Sequence, residues 1–174
     1  MPSYLVIPGI RGDSEARSHE GAIEVTSWTF GVAQLPTSGA GSAARQGRPQ
    51  FNAATFGCRG GPASPLLLEF CASGRLVDEA VFTQEPATGR AGSTEARFSD
   101  ARIISYAVIG DDDLRRDDFQ FSYARVTFTV RGQRPDGSLA EPVTTTQPPG
   151  EAPPVPTPGS GGVWRPRAPL LPRP

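Results

Sequence analysis

The sequence has no lysine, a single histidine and only two cysteines, Cys58 and Cys71. One histidine and two thiols without CxxC spacing do not supply the ligands of a zinc site, and two cysteines are too few for a disulfide framework. We therefore expect no metal and no cofactor. The two thiols are expected to be buried and to behave as small hydrophobic side chains.

Long apolar runs are also missing. No run approaches the roughly 18 residues that a membrane-spanning helix needs, which predicts no membrane insertion. The first residues carry no basic segment, and the apolar run that begins at Tyr4 is too short for a signal peptide. The sequence predicts a protein that is made and folded in the cytoplasm, and its export would need a dedicated machine.

Groups typical of catalysis are scarce. A nucleophilic Ser or Cys needs a neighbouring base, and His19 lies in a polar stretch with no catalytic motif around it. The glycines of residues 35–48 match neither GxGxxG nor GxxxxGK[ST], so no phosphate-binding loop is indicated. Paired carboxylates occur only in residues 111–118, where solvent would leave their pKa values unshifted. We expect that the protein is not an enzyme.

The charges are balanced and dispersed. The chain has seventeen basic residues, all arginine, and eighteen acidic ones. The arginines are spread singly along the chain. The absence of a basic stripe argues against a nucleic-acid partner. Residues 111–118 (DDDLRRDD) form the sharpest charge run, but they lack the glycine and terminal glutamate of an EF-hand loop. We interpret this run as a solvated hairpin loop in which arginine and aspartate compensate each other.

The clearest positive signal is a long strand pattern over residues 20–34. Its apolar residues change from odd to even positions: Ile23, Val25, Trp28, Phe30 and Val32. Strand side chains alternate between faces with a period of two. Either a bulge shifts the register near Thr26 and Ser27, or both faces of the strand are covered.

A second segment, residues 119–130, changes parity in the same way. Phe119, Phe121 and Tyr123 lie on one parity, and Val126, Phe128 and Val130 lie on the other. In a chain of this size, the simplest additional cover for a doubled apolar face is another copy of the same chain.

A short helix and an atypical C-terminal region complete the pattern. Ser64 is a suitable N-cap, Pro65 suits the first helical position, and Gly74 is a typical stop. Residues 140–174 contain eleven prolines and few apolar side chains. We therefore divide the chain into a β-barrel domain at residues 1–139 and a Pro/Gly-rich tail at 140–174, which we expect to be disordered or extended.

Four segments carry a family resemblance: SYLVIPGIRGDS, EGAIEVTSWTFG, ASPLLLEFCASG and FSYARVTFTVRGQRPDGS. Their order and spacing resemble those of the haemolysin-coregulated protein (Hcp) family, the tube proteins of type VI secretion systems, over residues 3–139. The resemblance implies a mainly β fold, an antiparallel β-barrel of two packed sheets with one short flanking α-helix.

The resemblance also implies a function and partners. Proteins of this family form homo-hexameric rings that stack into an inner tube, capped by a spike protein and surrounded by a sheath. The tube carries small effector proteins and is expelled with them, so the protein would be secreted from the cytoplasm by the type VI machine without a signal peptide. The alternative is a monomeric small β-barrel binding module for a peptide or small molecule, which the mass in solution would distinguish.

Site residues follow partly from the resemblance and partly from strand alternation. The family's extended loop reaches the neighbouring ring, which implies a ring-stacking role for Thr37, Ser38, Gly39, Arg45 and Arg48. If Trp28 and Phe30 point into the core, alternation makes Thr26, Ser27 and Thr29 candidate lumen-facing residues. The candidate core or protomer contacts are Trp28, Phe30, Phe121, Tyr123 and Phe128.

The C-terminal region departs from the family. Hcp proteins close with a strand that carries a GWD-like motif, which this chain lacks. Either residues 143–146 supply the missing ladder, or Val163 and Trp164 fold back behind the proline-rich spacer.

Overall fold

A computed structural model describes residues 1–34, 49–85, 92–111, 114–136 and 138–147. The predicted stacking residues and the predicted tail from residue 148 onward, including Trp164, lie outside these ranges. The strands are β1 (Ser3–Val6), β2 (Ile23–Thr29), β3 (Val32–Gln34), β4 (Pro49–Phe51), β5 (Ala54–Arg59), β6 (Leu76–Gln84), β7 (Thr94–Asp111), β8 (Leu114–Ser122), β9 (Arg125–Val130) and β10 (Val143–Gln147), and the helix is α1 (Ser64–Ser73).

Six of the strands close into an antiparallel barrel in the order β7-β6-β1-β2-β5-β8, with β8 returning to β7. β7 makes the closure possible because it is 18 residues long. It pairs with β6 from Thr94 to Arg102 and with β8 from Arg102 to Asp111. The predicted mainly β barrel with one short helix is confirmed.

Two further strands extend the sheet beyond the barrel. β9 pairs with the first part of β7, and β10 pairs with β9. Residues 143–146 therefore form a ladder, which is the first of the two alternatives for the C-terminal region. The second alternative, with Val163 and Trp164, lies outside the described residues.

The parity change in β2 is caused by a bulge. The register with β5 shifts between Val25 and Ser27. Ile23 and Val25 before the shift are buried, and Trp28 after it packs against Phe82 with ring centroids 4.7 Å apart. One extra residue has rotated the second half of the strand, so apolar residues of both parities face the same interior.

The second parity change falls at the break between β8 and β9. Phe121 and Tyr123 before the break and Val126 after it are all buried in one core. At the break the Ala124 N–H donates a hydrogen bond to the Ser99 carbonyl at 3.0 Å. The interpretation that a doubled apolar face needs cover from a second copy is therefore wrong for both segments, because local register shifts explain the pattern within one chain.

Helix α1 packs its apolar stripe, with Leu67 and Phe70 buried, on the barrel. Its N-cap is Ala63, whose carbonyl accepts the first helical hydrogen bond from Leu67 N–H at 2.9 Å. The prediction of Ser64 as the N-cap is wrong, because its hydroxyl is bonded to a barrel strand instead. Gly74 ends the helix as predicted, with a left-handed φ of 61° that glycine adopts without strain.

Candidate assembly surface

A polar surface covers the outside of β2, β5, β8 and the second part of β7. Two rows of ladder partners cross these four strands: Thr29, Thr55, Gln120 and Ser105, and then Ser27, Gly57, Asp118 and Ala107. Their neighbours along β5 and β8, such as Phe56 and Phe119, are buried in the core. Alternation therefore directs these two rows outward, and we call this surface the polar face.

The polar face is closely packed around Gly57, which lies at its middle. A Cβ at this position would lie 2.4 Å from Ser27 Oγ and 2.9 Å from Asp118 Oδ1. The Thr26 hydroxyl donates to the Gly57 carbonyl at 3.0 Å. The side chains of the two neighbouring strands thus lean across a position where only glycine leaves room.

The three candidate lumen-facing residues, Thr26, Ser27 and Thr29, are all exposed on this side of the barrel. The structure groups them with Thr55 and Gln120, which were not among the predicted site residues. The available signal was alternation, because Gln120 lies between two buried phenylalanines. Alternation alone could not predict which strands pair, so it could not place β5 and β8 on the same surface as β2.

Both edges of the four-stranded sheet have a stretch without a strand neighbour among the described residues. β1 pairs with β2 only at Ile23 and Glu24, so residues 25–29 are not paired on that side. β6 pairs with β7 only as far as Arg102, so residues 103–111 are not paired on that side. Such edges present backbone N–H and C=O groups to another chain. The β7 edge also carries the exposed side chains of Val108 and Ile109.

The five aromatic candidates divide into two groups. Phe121 and Tyr123 are buried inside the barrel, and burial raises the pKa of Tyr123 to about 12. Trp28, Phe30 and Phe128 are partly buried where β9 leaves the barrel. The Phe30 ring meets the Phe128 ring edge-on with centroids 5.5 Å apart.

The charge run at residues 111–118 lies in a hairpin of β7 and β8, and Arg–Asp pairs form within it, as predicted. The prediction of a solvated loop is wrong for residues 114–118, because β8 begins at Leu114 and its residues alternate between two faces. Asp118 lies on the polar face and forms an ion pair with Arg116 at 3.0 Å. Asp117 points to the other side and is fully buried, because β8 is paired with β5 on one side and β7 on the other.

Asp117 is the centre of a buried polar cluster. The Ser64 hydroxyl donates a hydrogen bond to Asp117 Oδ2, and Arg115 Nε lies 3.6 Å from Oδ1. Cys58 is the ladder partner of Asp117 on β5. Burial, followed by the charge of Asp117, raises the pKa of the Cys58 thiol to about 12. The thiolate is the reactive form, so Cys58 is chemically inert at neutral pH.

The single histidine has a structural contact. His19 stacks on Tyr4 with ring centroids 4.2 Å apart, and its Nε2 lies 2.8 Å from Glu85 Oε1. These contacts join the polar loop between β1 and β2 to the end of β6. In the part of the chain that the structure describes, no helix is long and apolar enough to cross a membrane.

A closed antiparallel barrel with a polar sheet face and unpaired edges is typical of a structural subunit. The family model described as "Type VI secretion system effector, Hcp" matches residues 4–130. The chain belongs to this family, whose members are secreted tube proteins of the type VI secretion system and not enzymes. A search of curated proteins finds no significant match.

Solved structures share the fold. Hcp1 from Salmonella typhimurium is similar with a TM-score of 0.69 and 24% identity, over 84% of this chain and 93% of that one. A type six secretion system protein gives a TM-score of 0.75 at 18% identity, over 84% and 94% of the two chains. A type VI secretion system effector from Yersinia pestis gives 0.66 at 20% identity, over 84% and 98%.

Proposed function

We propose that this protein is a subunit of the inner tube of a type VI secretion system, in which six copies form a ring and rings stack. The tube carries small effector proteins and is expelled with them, and it contacts a spike protein and a sheath. The observation that supports this proposal most is the polar face bordered by two unpaired strand edges in a chain of the Hcp family.

The two edges suggest how one copy joins the next. Residues 25–29 of β2 in one copy would lie beside residues 103–111 of β7 in its neighbour. Such a head-to-tail contact repeats around an axis and closes into a ring. The ring would then carry a continuous sheet, and its edges would no longer be open to unspecific pairing.

In this arrangement the polar face lines the channel, and Thr26, Ser27 and Thr29 contact the cargo. The two rows of the polar face contain hydroxyls, an amide, a glycine, an alanine and a carboxylate that is ion-paired to Arg116. Ile109, at the β7 edge, is an exposed large apolar side chain of the same parity. Two rows without large apolar side chains offer a moving protein few places to bind tightly.

Ring stacking is assigned to the segment between β3 and β4. These two short strands pair with each other, so they bring the ends of residues 35–48 close together. We propose that Thr37, Ser38, Gly39, Arg45 and Arg48 contact the next ring. The barrel domain, residues 1–139, would carry the assembly. Of residues 140–174, β10 extends the sheet of this domain, and residues 148–174 would act as an appended tail.

The described residues give the alternative of a monomeric binding module little support. Among them, a depression of about 200 Å³ lies beside β1 and β2, lined in part by Tyr4, Glu24 and Arg59. Pockets that hold drug-sized ligands are usually larger, from about 300 Å³ upward. The lining mixes aromatic, acidic and basic side chains, so it does not define a ligand class.

Mass in solution, with negative-stain images, tests the proposal. We expect the wild-type protein to have six times the monomer mass and to form rings. Val108→Asp places a charge beside the proposed β7 edge and should shift the protein to monomers. Val143→Asp is the matched control, because Val143 is 76% exposed on β10, away from both edges. A wild-type protein that remains monomeric at high concentration would contradict the proposal.

A further inference from the structure

We propose that the Ser64–Asp117 contact is a latch that holds helix α1 against the back of the polar-face sheet and keeps that sheet competent for assembly. The assembly part of this inference rests on the proposed function. The latch itself does not, because it can be measured in a single copy.

The latch joins two elements that are far apart in the sequence. Asp117 lies on β8, which is the middle one of three paired strands. Its ladder partners are Cys58 on β5 and Val108 on β7. Ser64 is the first residue of α1, and its hydroxyl donates to Asp117 Oδ2. The Gly61 N–H donates in turn to Ser64 Oγ at 3.0 Å, which holds the hydroxyl in place.

The burial of Asp117 explains why this contact is needed. A fully buried carboxylate loses its hydration and is tolerated only when other groups compensate it. Here the compensation comes from the Ser64 hydroxyl, from Arg115 Nε at 3.6 Å and from the positive end of the α1 dipole. Asp117 Oδ1 accepts no hydrogen bond from the described residues. The Tyr106 side chain interacts with both Ser64 and Asp117, so Ser64, Arg115 and Tyr106 surround the carboxylate.

The turn before the helix is fixed to the same strand. The Gly60 N–H donates to the Arg115 carbonyl at 3.0 Å. A Cβ on Gly60 would lie 2.4 Å from Arg115 Nε, so the turn lies directly on this side chain. The turn, the helix start and β8 thus form one connected unit.

The position of this unit links it to the assembly surface. Val108, the β7 partner of Asp117, belongs to the stretch of β7 that has no β6 neighbour. α1 packs against β7, and the pKa of Tyr106 on that strand is raised, chiefly by burial and next by the charge of Asp117. The helix therefore supports the sheet from the side opposite the polar face. A loosened helix start should leave the β7 edge less well ordered.

Hydrogen exchange of the α1 amides is the direct readout of the latch. We expect Ser64→Ala to accelerate exchange in residues 64–73 about tenfold or more, the usual effect of losing a hydrogen bond to a charged group. Ser64→Thr retains a hydroxyl and should stay close to wild type. Ser73→Ala is the matched control at the other end of the helix, where the hydroxyl makes only a 3.4 Å contact with the Phe70 carbonyl.

The charge of Asp117 supplies a second test that holds even if Ser64→Ala folds poorly. Asp117→Asn in the Ser64→Ala background removes the uncompensated charge, so the double variant should be better protected than Ser64→Ala alone. If the effects of the two substitutions on α1 amide exchange simply add, the latch is overturned. Equal α1 exchange rates in Ser64→Ala and Ser73→Ala would also overturn it.

The assembly consequence is measured separately as the fraction of protein in rings. We expect this fraction to fall in Ser64→Ala and to recover in Ser64→Thr. Faster α1 exchange with an unchanged ring fraction would overturn the link to assembly. A wild-type protein that forms no rings would contradict the proposed function, and the exchange rates would still support or overturn the latch by themselves.

Discussion

The barrel has two outer surfaces that differ in how their side chains are used. On the polar face, mostly small and uncharged side chains surround Gly57, and the sheet ends in unpaired edges. On the opposite side, β6 and the first part of β7 carry long charged side chains that bind each other, and β9 and β10 continue the same sheet. Arg97 contacts Glu95 at 2.7 Å and Glu79 at 3.1 Å. We call this second surface the charged face.

Threonine pairs reinforce the contrast. On the charged face, Thr127 meets Thr146 at 3.1 Å and Thr129 meets Thr144 at 3.0 Å, each pair joining β9 to β10. These hydroxyls are satisfied within the chain. The difference indicates that the side chains of the charged face bind partners within one copy. Both surfaces have an open strand edge among the described residues, since β10 pairs only with β9, but the polar face is bordered by two such edges.

The largest effect is expected beneath the polar face. Phe56 is fully buried and stacks on Phe121 and Phe119, with centroids 5.1 and 5.8 Å away. Phe56→Ala should lower the free energy of unfolding by about 3–5 kcal/mol because it leaves a cavity in the core. Val143→Ala on exposed β10 should cost less than about 0.5 kcal/mol. Urea denaturation checks both, and a similar cost at the two sites would contradict this description of the core.

Gly57→Val should have the next largest effect. The added side chain meets Ser27 Oγ and Asp118 Oδ1, and we expect a loss of about 1–3 kcal/mol in unfolding free energy. Gly132→Val is the matched control, since a Cβ there has no atom within 4 Å among the described residues and Gly132 lies outside both proposed edges. Equal melting temperatures for the two variants would show that the polar face is not closely packed around Gly57.

Alkaline pH tests the layer behind the polar face. The pKa of Cys58 is raised to about 12 in the folded protein, from 9.0 for an ordinary thiol. A group whose folded-state pKa is raised contributes stability that is full at low pH and is lost as the pH rises from about 9 to 12. Since the chain has no lysine, cysteine and tyrosine are the side chains that titrate in this window.

Urea midpoints measured between pH 8 and pH 11 check this expectation. Cys58→Ala should lower stability at pH 8 but flatten the decline above pH 9. Cys71→Ala is the control, because Cys71 is only partly buried. A decline that is just as steep in Cys58→Ala would assign the pH dependence to tyrosines instead.

The smallest effect is expected on the charged face. Arg97 and its partners are between about a third and a half exposed, with side-chain exposures of 44%, 45% and 36% for Arg97, Glu79 and Glu95. Solvent screens such pairs, so Arg97→Ala should change the unfolding free energy by less than about 1 kcal/mol. The ring fraction should not change. Loss of rings in Arg97→Ala would place the charged face at a subunit contact.

Sequence patterns predicted the features that depend on neighbouring residues. Gly74 ends the helix, and the alternation around Phe119 and Phe121 predicts the strand that buries them. The resemblance of four short segments was sufficient for the family and the barrel. The helix end and the strand can each be read within about ten residues of chain, whereas the resemblance rests on the order of four segments over residues 3–139.

Features that depend on long-range pairing were not predictable in the same way. Asp117 lies in a run of eight mostly charged residues, and only its pairing with β5 and β7 makes it buried. The role of Ser64 depends on that aspartate, 53 positions away in the chain. Likewise, the sequence left open whether a bulge shifts the register of β2 or both faces of the strand are covered. Only the pairing with β5 shows the bulge after Val25.

The central claim is that the polar face is enclosed by assembly and the charged face is not. Protection of an introduced cysteine from maleimide labelling tests this claim most directly. In a Cys71→Ser background, Thr29→Cys and Arg97→Cys place single accessible thiols on the two faces. We predict that a bulky polymer-linked maleimide labels both variants as monomers, but labels only Arg97→Cys in assembled protein. Equal labelling of the two variants after assembly would contradict this claim.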